Sequence, residues 1–314
     1  MTVRTQDQAA DEFERHRGYL LSVAYRLTSS WADAEDAVSM AWTRWADRAG
    51  SVDEPRAWLT TVVSRLCLDQ LRSAQHRREV YTGPWLPEPL VQIPGQPGTR
   101  PDDPVDLAVQ DESVRLAFLV VLDTLSPEQR LAVVLHDVLE VPFVEIAEVL
   151  GCSPAAARQH ATRGRRKVDA ADPTPRAPAA EINAVLGKLA DALAAGDISA
   201  LTDLLAPDAV MLADGAGQVS AAGRPLLGSA EIARFLFGLS KRYGATSHFY
   251  AALVNGDAGF ILRVPEPVHR QPPIGVYAFA VRGGRIQDIY AVLAPDKVTR
   301  IPEIDPSAAQ WSPG

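Results

Sequence analysis

A proline inside a helix removes one backbone hydrogen bond and clashes with the preceding turn, and residues 80–104 hold seven prolines and three glycines. No helix or central strand is expected to run through that stretch, so the chain must fold as pieces on either side of it. Within it, Trp85-Leu86-Pro87-Glu88-Pro89 sets a large aromatic side chain among rigid residues, where a passive spacer needs none. Burying a tryptophan gains about 2–3 kcal/mol, and prolines lower the entropy lost on ordering the segment. Two readings follow: Trp85 anchors the run on another domain, or it packs on its own helical neighbour and the run is only a spacer.

The flanking patterns differ. Residues 7–79 read as three helices. Phe13, Leu20, Ala24 and Leu27 recur at helical spacing, and Ser30 can cap a second helix whose apolar stripe is Ala34, Val38, Ala41 and Trp45. Pro55 suits the first turn of a third helix, which ends in the basic cluster Arg72, Arg77 and Arg78. Trp42, Trp45 and Trp58 fall at core spacing. Residues 80–110 form the proline-rich linker, 111–168 a second helical module and 169–179 a second break. Residues 180–299 change character: a helix precedes short apolar segments, with Gly256-Asp257 and Gly283-Gly284 as hairpin turns, which predicts an α+β domain with an antiparallel sheet. Residues 300–314 are a tail.

The sharpest local pattern is "FVEIAEVLGCSPAAARQHATRGRRKV", residues 143–168. Gly151 permits a tight turn, Ser153 can cap the following helix, and Pro154 fits its first position. That is a helix-turn-helix. Residues 153–168 carry five Lys or Arg and no acid on a chain of net charge −8. Such a reversal suits phosphate neutralisation, with Arg158 and Gln159 available for base edges and Arg163 and Arg165 for phosphates. A solvated basic helix in an ordinary bundle is the plainer alternative.

The run Leu125-Ser126-Pro127-Glu128-Gln129-Arg130, with Glu145-Ile146-Ala147 and Arg163-Gly164-Arg165, resembles region four of bacterial sigma factors of the extracytoplasmic-function class. "DAEDAVSMAW" (33–42) and "WLTTVVSRLCLDQLR" (58–72) resemble sigma region two. The resemblance implies that region two binds core RNA polymerase through a surface including Asp33, Glu35 and Asp36, and opens the minus-ten element. Ser39 and Met40 depart from the Gln and Glu that relatives often carry there. It implies that Arg65, Arg72, Arg77 and Arg78 face DNA, and that region four reads the minus-thirty-five element through Ser153, Arg158, Gln159, Arg163 and Arg165. Each has a simpler reading: the acids favour their own helix N-terminus, Arg65 is a surface arginine, and the terminal arginines offset a helix dipole.

Residues 180–299 resemble a SnoaL-like domain, a cone-shaped α+β fold with a pocket. A subgroup of these sigma factors joins such a domain to three short motifs. Trp85 to Pro89 matches the first unaltered; "DGAGQ" (214–218) and "APDKV" (294–298) are degenerate forms of the other two. The resemblance implies two all-α sigma modules followed by the α+β domain, with Trp85, Leu86, Pro87, Glu88 and Pro89 docked near Asp214 and Lys297, and Glu88 facing Lys297.

The leading expectation is therefore a sigma factor that binds core polymerase and promoter DNA and is modulated in cis by its last domain. It is expected to be no enzyme, to need no metal or cofactor, to be a monomer when free and to work in the cytoplasm. The last expectation rests on the absence of a membrane-length apolar run or secretory leader and on two unpaired-looking cysteines, Cys67 and Cys152. The pocket leaves room for an unidentified small ligand. Two alternatives stand beside this. One is an isomerase-like enzyme built on Asp214, His248, Tyr250, Asp288 or Tyr290; the other is a repressor that binds operators without polymerase.

Overall fold

The computed structural model describes residues 3–78, 81–93, 112–301 and 304. They form two compact units: residues 3–78, 112–113 and 119–173 in one, and 81–93, 114–118 and 174 onward in the other.

The first unit is helical. Helices α1 (Val3–Thr28), α2 (Trp31–Ala46) and α3 (Pro55–Arg78) form its N-terminal module. Ser30 starts α2, its hydroxyl accepting from Asp33 N at 3.2 Å. The stripe Ala34, Val38, Ala41 and Trp45 is buried, as are Leu20, Ala24 and Leu27 of α1. Trp45 donates its indole N–H to Ala9 O at 2.8 Å, which lets a large amphipathic ring be buried without an orphan donor. Trp58 packs beside it, and Trp42 packs edge-on to Phe13.

The C-terminal module of this unit takes the end of α4 (Leu116–Leu122), then α5 (Pro127–Val133), a π turn at Val134–Val138, α6 (Phe143–Leu150) and α7 (Pro154–Ala171). Ser126 and Gln129 form a reciprocal capping box at the start of α5, with Pro127 in its first turn. Arg130, 1% exposed, extends from that helix to Asp123, to Ser29 Oγ at 2.5 Å and to Arg26 O at 3.2 Å. The run 125–130 thus starts one helix and ties it to the end of α1. Gly151 takes the left-handed conformation (φ 65°) between α6 and α7, and Ser153 caps α7 through Ala156 N at 3.2 Å.

The second unit is a seven-stranded sheet with helices against it. Its elements are β1 (Val91–Gln92), α8 (Ala179–Ala195), α9 (Ile198–Leu204), β2 (Leu205–Asp214), β3 (Leu226–Leu227), α10 (Ser229–Tyr243), β4 (His248–Val254), β5 (Asp257–Arg263), β6 (Ile274–Arg282) and β7 (Arg285–Val292). The order is β1-β4-β5-β6-β7-β2-β3. Leu189, Leu201 and Ile232 of the helices share a core with Met211, Phe279 and Ile289 of the sheet.

Two features differ from the sequence reading. The sheet is mixed: β2 and β7 pair in parallel, because β2 enters from the helices and not from a hairpin. The first hairpin turns at Asn255-Gly256, both with positive φ, so Asp257 is already the first residue of β5. The second turn is Gly283-Gly284.

Gly164 marks where α7 meets α5. An added Cβ there would lie 2.5 Å from Val133 Cγ2 and 3.3 Å from Gln129 O. Gly164→Ala should destabilise the protein by about 1–3 kcal/mol through overpacking. Gly187→Ala in α8, where a Cβ meets nothing within 4 Å, should do the opposite by about 0.5–1 kcal/mol. Urea unfolding of the two variants checks the pair of signs.

Candidate functional site

Strand β2 ends in a buried carboxylate. Asp214 is 0% exposed, and both its oxygens are occupied by the proline-rich run and the C-terminal turn. Oδ1 accepts from the Tyr81 hydroxyl at 2.6 Å and from Ala216 N at 3.1 Å. Oδ2 accepts from Leu86 N at 2.8 Å and from Lys297 Nζ at 2.7 Å. Lys297 also donates to Leu86 O at 2.6 Å, and its ammonium lies 3.9 Å from the centroid of the Trp85 ring. One lysine and one aspartate therefore hold both backbone groups of Leu86. The apolar anchor of the run is Leu86, fully buried, while Trp85 is half-buried as a lid over Lys297. Such a cation–ring contact is worth about 0.5–2 kcal/mol. Pro87, Glu88 and Pro89 are buried beside it. Gly217 passes close to the same run: a Cβ there would come within 3.0 Å of Thr82 Cβ, and its φ of 68° disfavours a side chain anyway.

The run then becomes part of the sheet. Val91 and Gln92 pair with Val254 and Leu253, adding β1 to an edge that β4 would otherwise expose. Asn255, fully buried, sits at the end of β4. Its Oδ1 accepts from Leu90 N at 3.0 Å, its N donates to Leu90 O at 2.7 Å, and its Nδ2 donates to Val114 O at 2.6 Å. Next to it Asp257 binds Arg115 through Nε at 2.8 and 3.1 Å and Arg176 at 3.2 Å, while Arg115 Nη1 reaches Thr174 O at 2.8 Å. One hairpin corner thus holds three separate stretches of chain, around Leu90, Arg115 and Thr174. Sequence reasoning missed Asn255, Asp257, Arg115 and Tyr81. The sequence signalled only a hairpin turn, at Gly256-Asp257, and nothing local in a buried ion pair between residues 115 and 257 announces its partner.

In the helical unit, the residues expected to face DNA divide by their surroundings. Ala157, Ala161 and Gly164 form the buried stripe of α7. Gln159, Arg163 and Arg166 project from the opposite face at helical spacing. Arg158 lies on the flank, its guanidinium 5.5 Å from the Phe143 ring. Arg165 is half-buried and bonded to Asp137, which raises its already high pKa. Ser153 is occupied as a helix cap. Arg65 donates to Glu148 O at 2.9 Å, and Arg72 binds Glu128 at 3.0 and 3.2 Å. Burial of Glu128 works against its charge, but hydrogen bonds from its own backbone, Arg72 and Ser126 outweigh this and hold its carboxyl below the usual range. The side chains of Arg77 and Arg78 lie outside the described residues. Asp33 and Glu35 are half-buried and Asp36 exposed on α2.

The residues considered for proton-transfer chemistry do not converge. Asp214 is consumed by the linker, His248 is exposed, and Tyr250 is buried in β4. Asp288 and Tyr290 bond to each other, and Thr174 donates to Asp288 at 3.1 Å; burial raises both pKa values. None of the five lines the large cavity of this unit, and no carboxylate does so among the described residues.

Comparison with known proteins gives a consistent family. The Sigma-70 region 2 model matches residues 13–77, and the Sigma-70, region 4 model matches residues 115–168. The chain is 46% identical over 302 residues to the ECF RNA polymerase sigma factor SigJ of Mycobacterium tuberculosis, covering 93% of each. It is 28% identical over 319 residues to a probable ECF RNA polymerase sigma factor, SigI, of the same species, covering 98% of this chain and 99% of the relative. The crystal structure of Mycobacterium tuberculosis SigJ superposes with a TM-score of 0.76 at 43% identity, covering 92% of this chain and 98% of that one.

Replacing Asp214 with Asn keeps the shape of the clasp but removes the negative charge 2.7 Å from the Lys297 ammonium. Breaking one side of a buried pair costs about 3–5 kcal/mol. Amide exchange in residues 81–92 should accelerate well beyond that of β5 and β6. Equal protection in wild type and variant would remove Asp214 as the holder of the linker.

Proposed function

The chain belongs to the extracytoplasmic-function family of RNA polymerase sigma factors, and we propose that its C-terminal domain controls promoter engagement by holding the linker between the two DNA-binding modules. Sigma factors bind RNA polymerase and promoter DNA, so the covalent chemistry belongs to the polymerase. In this reading Asp33, Glu35 and Asp36 contribute to the polymerase-binding surface of region two, and Arg65, Arg72, Arg77 and Arg78 meet DNA near the minus-ten element. Region four reads the minus-thirty-five element with Arg158 and Gln159 toward the bases and Arg163 toward a phosphate; Arg165 would exchange Asp137 for a phosphate.

The observation that carries the regulatory part is the Asp214–Lys297 grip on Leu86. A linker tied at Leu86 and Leu90 has far fewer accessible lengths than a free one, and linker reach sets whether two tethered modules can bind together. The exposed arginines of the helical unit support the DNA reading. Their protein partners lie at the surface, where ion pairs are worth about 0–1 kcal/mol and give way readily to phosphates. The enzyme alternative is weaker because no carboxylate faces the cavity among the described residues. The operator-repressor alternative is weaker because it leaves the match to region two without a role.

Run-off transcription with purified core polymerase tests the reading. Wild-type protein should support initiation. Trp85→Ala and Asp214→Asn should each change its level in the same direction, and the double variant should change it no more than the larger single one, since both loosen one contact. Fully additive effects would make the linker a mere spacer. Arg163→Ala should weaken promoter binding without altering sequence preference, whereas Arg158→Ala should cost about 1–3 kcal/mol and alter it. Gel-shift titrations on the promoter and a base-substituted version separate the two.

A further inference from the structure

The second unit contains a pocket of about 920 Å³ that opens to solvent. Protein interiors pack as densely as organic crystals, so a pocket of this size leaves a largely apolar lining for water or a ligand to cover. The wall is built to stay open. Phe249 stands edge-on to Phe260 (5.3 Å, 77°), Phe260 stacks on Tyr277 (4.6 Å, 21°), and Met211 and Leu262 complete the apolar side. Gly275 is forced by the same wall: a Cβ there would lie 2.7 Å from Leu293 Cδ2 and 3.2 Å from Tyr277 Cε2.

Two buried polar groups line this apolar space with donors to spare. The Tyr277 hydroxyl makes no hydrogen bond among the described residues, although the residue is 7% exposed. Burial pushes its phenol up to about 12, so it remains a neutral donor at physiological pH. Gln271, 6% exposed, accepts from Val268 N at 3.2 Å through Oε1 and leaves its amide N–H groups without a partner among the described residues. Both donor atoms reach solvent-accessible space, so a ligand that displaces water from them must accept a hydrogen bond in its place. The basic side chains at the lining, Arg234, Arg242 and His269, are exposed, so water screens their charge.

We infer that this cavity is a binding site for an uncharged, ring-bearing small molecule that offers a hydrogen-bond acceptor, such as a carbonyl oxygen, to Tyr277 and Gln271. Rings suit walls of aromatic faces and edges, and about 300–1,000 Å³ is the usual size of a small-molecule pocket. Neutral dipolar donors with no buried cation select a neutral acceptor over an anion. This site is independent of the reading of the linker, and its test needs no transcription.

Full-length protein should be titrated with 2-acetonaphthalene, a flat bicyclic ketone, with 2-ethylnaphthalene and 2-naphthoate as comparators. The ketone should bind one to one in the micromolar range, at least tenfold tighter than either comparator. Tyr277→Phe keeps the ring and should weaken the ketone about tenfold while changing the hydrocarbon less than twofold. Ala221→Phe, directed at filling the cavity, should abolish binding of all three at an unchanged circular dichroism spectrum. If that variant does not fold, the Tyr277 comparison decides alone. No saturable binding of the ketone, tighter binding of the carboxylate, or indifference of the ketone to Tyr277→Phe would each overturn the assignment.

Discussion

Burying a carboxylate removes it from water at a cost of several kcal/mol, which only close counter-charge and hydrogen bonds can offset. Asp214 meets that requirement with partners from far apart in the chain: Tyr81 and Leu86 before the second helical module, Lys297 near the end of the last domain. The fold of the second unit cannot place Asp214 at the end of β2 without also requiring the linker to lie against it. Removing the linker would strand the carboxylate and the lysine together, and removing the lysine would strand the carboxylate against the linker's own backbone. The linker is in this sense part of the domain's core and not an attachment to it.

Strand alternation explains how one element can serve two purposes. Along β2, Met211 and Ala213 line the cavity, and Asp214, the next residue, turns to the opposite side and holds the linker. The loop that follows returns Ser220, Ala221 and Ala222 to the cavity wall. Leu293, also in that wall, donates its backbone N–H to Asp214 O at 2.8 Å. Whatever fills the cavity therefore packs against the two strands whose ends carry the clasp. Close-packed walls transmit small displacements rather than absorbing them, so the two sites share a mechanical element even though no residue serves both.

What could be read from the sequence was what local chemistry decides. The left-handed Gly151, the cap at Ser153 and Pro154 in the first turn of α7 each need only their own neighbours, so the helix-turn-helix was legible residue by residue. The clustering of Trp85 to Pro89 with Asp214 and Lys297 came from resemblance to a family, not from spacing. Even there the emphasis differed, because burial depends on a receiving surface the sequence does not display: Leu86 fills the buried position and Trp85 caps it from outside. A two-residue strand such as β1 has no periodicity to detect and exists only because the β4 edge accepts it. The parallel pairing of β2 with β7 and the corner built on Asn255 and Asp257 are equally non-local.

The energetic character of the contacts separates what can move from what cannot. Arg72 and Glu128 meet at the surface, with side chains 50% and 29% exposed, and such a pair exchanges protein for phosphate at little cost. Arg130 is different: its guanidinium is 1% exposed and bonded to Asp123, Ser29 and Arg26, so it holds α5 against the end of α1 while the outer arginines change partners. In the second unit the deeply placed pairs act on two different segments: Lys297–Asp214 on the run before the second helical module, and Arg115–Asp257 on the start of that module. Opening either exposes charges that the surrounding core has no water to satisfy. A signal that frees the linker must then supply that energy from outside. A macromolecular partner that competes for Leu86 could do so, and so could a ligand that reshapes the cavity wall behind β2. Thermal fluctuation of the linker alone opens the clasp only as a minor population.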